Sequence, residues 1–176
     1  MPRTTNAASL GDDSTTTGIA IRSARADDAT RLTSIAHAAK RHWRYPDELL
    51  RLWDADLSVT GAFIESHPVY CAVAASEVVG FYALSSTAAS CELEHMWVEP
   101  THIGTGVGTA LFQHAVERVR ALGGSALMIA SDPNAEGFYR RVGARRVGVA
   151  PSTPPGRMLP LLVFEVVTSG ANDGLT

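Results

Sequence analysis

A mixed α/β fold, in which a central, mostly antiparallel sheet is flanked by helices, is predicted by three features of this 176-residue sequence. Residues 69–75, 78–85 and 92–98 are runs rich in β-branched and aromatic side chains, joined by short connections of small and polar residues. They read as an antiparallel meander. Behind them, three alternating glycines lead into a segment whose apolar residues recur every three or four positions, and the chain then continues strand, helix, strand, strand. A meander followed by such a tail requires the chain direction to change near the glycines, which gives a mixed sheet covered by helices.

Taken in order, residues 19–23 alternate apolar and polar and form a first strand. Asp27 and Asp28 suit the start of a helix that runs to about Lys40, with Leu32, Ile35, Ala36 and Ala39 on its apolar face. The break from Arg41 to Pro46 separates it from a short second helix over 47–53, and one further helical turn covers 60–66. After the meander, Val107, Leu111, Ala115, Val119 and Leu122 give the next helix its packing face, and Gly123-Gly124 ends it. Residues 126–130 form a buried strand, 135–141 a short helix, 146–149 a strand, and 159–167 a last strand after a Pro-rich loop.

Composition bounds the rest. With 45% hydrophobic and 19% charged residues, the chain has the make-up of one globular domain, expected over 19–168 with flexible tails at 1–18 and 169–176. A net charge of −3 provides no basic field for nucleic acid. The first eighteen residues lack a basic and apolar leader pattern, and no apolar run reaches membrane-spanning length, so a cytoplasmic location is expected. Cys71 and Cys91 sit in apolar, strand-like surroundings and read as reduced core side chains. The histidines, scattered singly, show no metal-ligand spacing, so no metal is expected.

Residues 92–112 carry the chemistry. Glycines at Gly104, Gly106 and Gly108 permit positive φ and close backbone approach. The helix that follows directs free N–H groups and the positive end of its dipole at whatever occupies the loop. This is an anion cradle suited to a phosphate-bearing ligand. A P-loop would need Gly-Lys-Ser/Thr, and a dinucleotide fingerprint begun at Gly104 would need Gly or Ala where Thr109 stands. Instead, Ile103-Gly104-Thr105-Gly106-Val107-Gly108 resembles the Arg/Gln-x-x-Gly-x-Gly/Ala signature of the GNAT superfamily of acyl-CoA-dependent N-acyltransferases, with Ile103 in place of Arg or Gln. A second stretch, Asp132 to Tyr139 followed by Gly143, is similar to the family's Asn-x-x-Ala-x-x-Phe-Tyr…Gly segment. Aligned on Ala135, Phe138 and Tyr139, the family's Asn falls on Asp132, and Asn134 stands in a shifted position.

The resemblance implies a GNAT-like sheet whose fourth and fifth strands splay apart around acetyl-CoA or coenzyme A. It implies a cofactor site built from Met96, Trp97, Val98, Ile103, Gly104, Thr105, Gly106, Val107, Gly108, Thr109, Asn134 and Phe138. It further implies a bulge near Met96 to Val98 whose backbone N–H polarises the acyl carbonyl, and Tyr139 as the acid toward the coenzyme A sulfur. Alternation along 92–98 puts Glu92, Glu94, Met96 and Val98 on one face unless a bulge intervenes, with His95 on the other. The family often takes its general base from a Glu here, which points to Glu94, a role that partial burial would favour. Glu92 and Glu94 also read as a solvated strand face, and His95 as a structural histidine. Phe138 and Val142 are expected to face the core, leaving Tyr139 on another side of its helix.

Trp43 and Tyr45 lie in the inter-helix loop that borders the acceptor site in the family, and equally suit a hydrophobic plug. The expected activity is transfer of an acetyl or other short acyl group from acyl-CoA to a primary amine, on a small molecule or peptide, by direct attack in a ternary complex. A noncatalytic acyl-CoA sensor is the alternative. A homodimer through a sheet edge is compatible with the fold.

Overall fold

The computed structural model describes residues 18–86 and 90–167; the tails expected at 1–18 and 169–176 lie, apart from Gly18, outside them. The element order is β1 (Ile19–Ser23), α1 (Ala29–His42), α2 (Asp47–Leu52), α3 (Asp54–Leu57), α4 (Gly61–Ser66), β2 (Val69–Ala74), β3 (Glu77–Ser86), β4 (Cys91–Val98), α5 (Val107–Ala121), β5 (Ala126–Ala130), α6 (Glu136–Arg141), β6 (Arg145–Ser152) and β7 (Arg157–Glu165). The strands form one sheet in the order β1-β2-β3-β4-β5-β7-β6. Only the β4–β5 pair is parallel. The predicted mixed, mostly antiparallel sheet is therefore present.

Two cores cover its faces. On one side Leu32, Ile35 and Ala36 of α1 pack with Trp53, Leu57 and Ile64 against Cys71, Phe81 and Ala83. On the other, Val107, Leu111, Phe112, Ala115 and Val119 of α5 pack against Tyr82, Leu84, Leu93 and Leu127. The alternation of Phe81 and Tyr82 between these cores is the period-2 geometry of a strand buried on both faces. Gly80 lets α5 settle onto β3, since a Cβ there would meet the Trp97 carbonyl oxygen at 2.9 Å and Leu111 at 3.0 Å. Leu122, expected on the packing face, is 56% exposed because α5 ends at Ala121 and the chain turns out through Gly123 at φ 77°.

Two boundaries differ from expectation. The residues 54–57 form a separate turn of helix, and the Pro-rich stretch is mostly strand, because β6 and β7 pair from Ser152↔Arg157 onward and leave only 153–156 as the hairpin loop. Among the described residues no helix is long and apolar enough to cross a membrane.

The strand irregularity that matters most lies in β4. Pairing with β3 is unbroken from Gly80↔Val98 to Ala83↔His95 and then jumps to Leu84↔Leu93, so Glu94 is the extra residue of a bulge. The bulge expected near Met96 to Val98 is therefore at Glu94 instead. It resets the alternation: Leu93, Met96 and Val98 join the α5 core, while Trp97 turns to the α1 side. His95, with its ring against Phe63 and Phe81, shares the side of Glu94 and does not oppose it.

Candidate active site

Strands β4 and β5 pair only at Cys91↔Leu127 and Glu92↔Met128. Beyond these two residues they diverge, and a cleft of about 720 Å³ opens between them. Its walls are Leu93 to Val98 from β4, Ile129 to Asp132 from the end of β5, the glycine loop, and Phe138 and Tyr139 of α6. The β4 edge turned away from β3 thus lacks a strand partner where it borders the cleft, leaving main-chain polar groups available to a ligand.

At one end of the cleft the loop before α5 holds Gly104 at φ 83° and Gly106 at φ 93°. Both values lie in the left-handed region that only glycine adopts cheaply. A Cβ at either position would meet no atom within 4 Å, so the loop surface is open. Gly106 caps α5 without any side-chain hydrogen bond, and the first-turn N–H groups face out with the helix dipole behind them. Ile103 is 44% exposed and brings no donor, but His102 and Arg141 line the same cleft and supply basic side chains. Gly108 packs toward Phe138, whose ring stands 3.4 Å from where a Cβ would be.

Tyr139 is 6% exposed and lines the same cleft. Burial, with Asp132 adding to it, pushes its phenol well above the usual tyrosine range, so it stays protonated at neutral pH. The expected arrangement of α6 is reversed in degree: Tyr139 is the most deeply buried residue of the helix, while Phe138 and Val142 are only partly buried against the α5 core. Glu94 lines the cleft with its side chain 39% exposed, Oε2 lying 3.9 Å from Nε2 of His67. The partial burial expected of this carboxylate is thus slight. Glu92 is exposed and absent from the cleft walls.

Of the other predicted residues, Met96, Trp97, Val98, Ile103, Gly104, Gly106, Gly108, Thr109, Asn134, Phe138 and Trp43 border the cleft. Val107 does not, because its side chain is buried under α5, which leaves only its main chain at the loop. Thr105 turns its hydroxyl back to the His102 carbonyl at 2.8 Å. Tyr45 does not line the cleft, but its hydroxyl donates at 3.0 Å to Oδ1 of Asp132, which does.

That bond belongs to a network not foreseen from the sequence. Asp132 accepts from the Lys40 ammonium, from the Asn134 main-chain N–H at 3.0 Å and from the Asn134 side chain at 3.0 Å. Burial alone would raise the Asp132 carboxyl, but the bonds from Lys40, Asn134 and Tyr45 outweigh it and hold the group below its ordinary value. Burial pulls Lys40 down against the opposing pull of Asp132. Its ammonium also stands 4.6 Å from the ring centre of Trp53 and 4.9 Å from that of Tyr45. One signal was available: Lys40 is the only lysine in the chain, four residues on from the buried Ala36 of α1.

A mixed sheet whose parallel strands β4 and β5 splay apart, with a glycine-capped helix and a buried tyrosine lining the gap, defines the class of fold. The chain belongs to the acetyltransferase (GNAT) family, whose model matches residues 29–144. No curated protein sequence matches it. Among solved structures it is similar to a GCN5-related N-acetyltransferase from Rhodopseudomonas palustris, with TM-score 0.72 and 20% identity over 83% of this chain and 94% of that one. It is also similar to the PaiA N-acetyltransferase from Thermoplasma acidophilum, solved with coenzyme A, with TM-score 0.70 and 18% identity over 84% and 98%. YncA from Salmonella typhimurium, solved with acetyl-CoA, gives TM-score 0.61 and 18% identity over 90% and 99%.

Proposed function

We propose that the protein transfers an acetyl or short acyl group from acyl-CoA to a primary amine in a ternary complex. The observation that carries this reading is that one cleft is lined by the open glycine loop together with Glu94 and Tyr139. The residues present fit coenzyme A: the left-handed Gly104 and Gly106 and the uncapped start of α5 suit a pyrophosphate, with Arg141 adding charge and His102 a ring N–H donor. The unpaired edge of β4 from Leu93 to Val98 suits the amide-bearing arm, and Asn134 and Phe138 line the opposite wall. When bound, acetyl-CoA supplies an acetyl group activated as a thioester.

The chain's own residues then do three things. Glu94, at the bulge, takes a proton from the acceptor ammonium, directly or through water, since its carboxylate remains solvated. Main-chain N–H groups on the open β4 edge hydrogen-bond the acyl oxygen. Tyr139 gives its Oη proton to the departing sulfur, a role for which its raised pKa keeps it loaded. Holding both reactants in one cleft provides much of the remaining acceleration.

His95 is unsuited to the base role, because its Nδ1 accepts a hydrogen bond from Trp97 Nε1 at 3.2 Å. Titration calorimetry with acetyl-CoA and coenzyme A, on the wild type and on Gly106→Asp, tests the cofactor end. Binding by the wild type that is abolished in the variant is expected; equal affinity in both would remove the loop from the site.

A further inference from the structure

Two cations share one carboxylate of the cleft wall. Lys40 is ion-paired to Asp132, and Arg157, at the start of β7, brings Nη2 to 3.8 Å from the same Asp132 Oδ2. These three side chains are 8%, 10% and 18% exposed, in the order Lys40, Asp132, Arg157. Among the described residues no second carboxylate pairs with either cation. The cluster therefore has one positive charge in excess where solvent is mostly excluded, an arrangement that favours an anionic guest.

Arg157 has donors to spare for one. Its guanidinium lies 4.6 Å from the Trp53 ring centre, and Trp53 is itself pinned by its Nε1–H to the Thr153 carbonyl at 2.8 Å. The hydrogen bonds Arg157 makes are to Ser152 Oγ at 3.1 Å and to the Tyr45 hydroxyl at 3.5 Å. A guanidinium has five N–H donors, so most remain for a planar acceptor such as a carboxylate. Asp132, the residue common to both cations, is part of the cleft wall, together with Asn134 and Trp97. Lys40 and Arg157 themselves stand outside the cleft lining, behind Asp132, so their excess charge reaches a reactant across that one residue.

We infer that Arg157 and Lys40 form a subsite for a carboxylate carried by one of the two reactants, so that the protein selects a carboxylated reactant over its uncharged analogue. This rests on the acyl-transfer reading above. The carboxylate has two sources: an acceptor that is both amine and acid, such as an α-amino acid, or a dicarboxylic acyl chain on the donor.

The test uses the full chain. In one arm thiol release from acetyl-CoA is measured with amino acids, each beside its decarboxylated amine; in the other, acetyl-CoA is compared with succinyl-CoA on one uncharged amine. The expected result is about a tenfold or greater preference in kcat/KM for the carboxylated member in one arm, which names the source. Arg157→Gln should collapse that preference and Arg157→Lys should restore part of it. Because Lys40 is the sole lysine, protein labelled with 15N-lysine gives a single ammonium signal that reports the subsite without turnover. With coenzyme A present, that signal should move on addition of the preferred amino acid, or of succinate, and stay still with the uncharged analogue. Turnover of amines without preference in either arm, or a signal that no carboxylate moves, would overturn the subsite and leave the transfer reading intact. Failure to bind coenzyme A at all would remove both.

Discussion

The indole N–H of Trp97 donates to Nδ1 of His95 across 3.2 Å, and since an indole nitrogen is a donor only, the neutral imidazole must carry its proton on Nε2. Burial holds His95 below the ordinary histidine value, and burial does the same to His114. The unfolded chain takes up these protons near pH ~6.5, whereas the folded chain does so only at lower pH. Both groups therefore favour the fold fully above that value and withdraw their contribution as the pH falls below it. The melting temperature should decline on acidification from about pH 7 to 5, less steeply in His95→Gln, as thermal unfolding at a series of pH values can check. A flat profile in the wild type would contradict this.

Tyr139→Phe removes one oxygen from a ring that is already buried against Phe112 and Phe138. The apolar packing survives, so folding and coenzyme A affinity should change little. Turnover should fall by about a hundredfold or more if the phenol is the proton donor. Steady-state kinetics beside calorimetry separate the two quantities, and unchanged turnover would exclude Tyr139 from the chemistry.

Much of this was legible in the letters. Leu32, Ile35, Ala36 and Ala39 were readable as a buried helix face, and all are at most 5% exposed. The glycine loop was readable because left-handed backbone and an uncapped helix start demand glycine at Gly104 and Gly106. What could not be read was anything set by register between distant strands. The β4 bulge at Glu94 depends on how β3 and β4 pair, and one residue of slip moves His95 to the other face. In the Lys40–Asp132–Arg157 cluster Lys40 and Asp132 lie 92 positions apart, with no local spacing to announce their meeting. The reversed burial of Tyr139 and Phe138 is likewise a packing outcome, since a helix of six residues presents too little surface for its periodicity to choose.

Lys40→Met should destabilise the fold by about 1–3 kcal/mol, because Asp132 loses its nearest cation and keeps only Arg157, 3.8 Å away. Removing the charge on both sides, as Lys40→Met with Asp132→Asn, should recover part of that loss. Urea unfolding of the two single variants and the double variant gives the coupling directly. Additive losses would show that the pair is not linked.

In the proposed reaction one cleft brings an acyl thioester and an amine together. The most direct test is to incubate the protein with acetyl-CoA, add an amine panel that includes amino acids, and follow free thiol while identifying the product by mass spectrometry. The account predicts thiol release that depends on the amine, with an N-acetylated product in equal amount, and its loss in Tyr139→Phe. Tight binding of acetyl-CoA with no amine-dependent release across the panel would contradict catalysis and leave a protein that only binds the thioester.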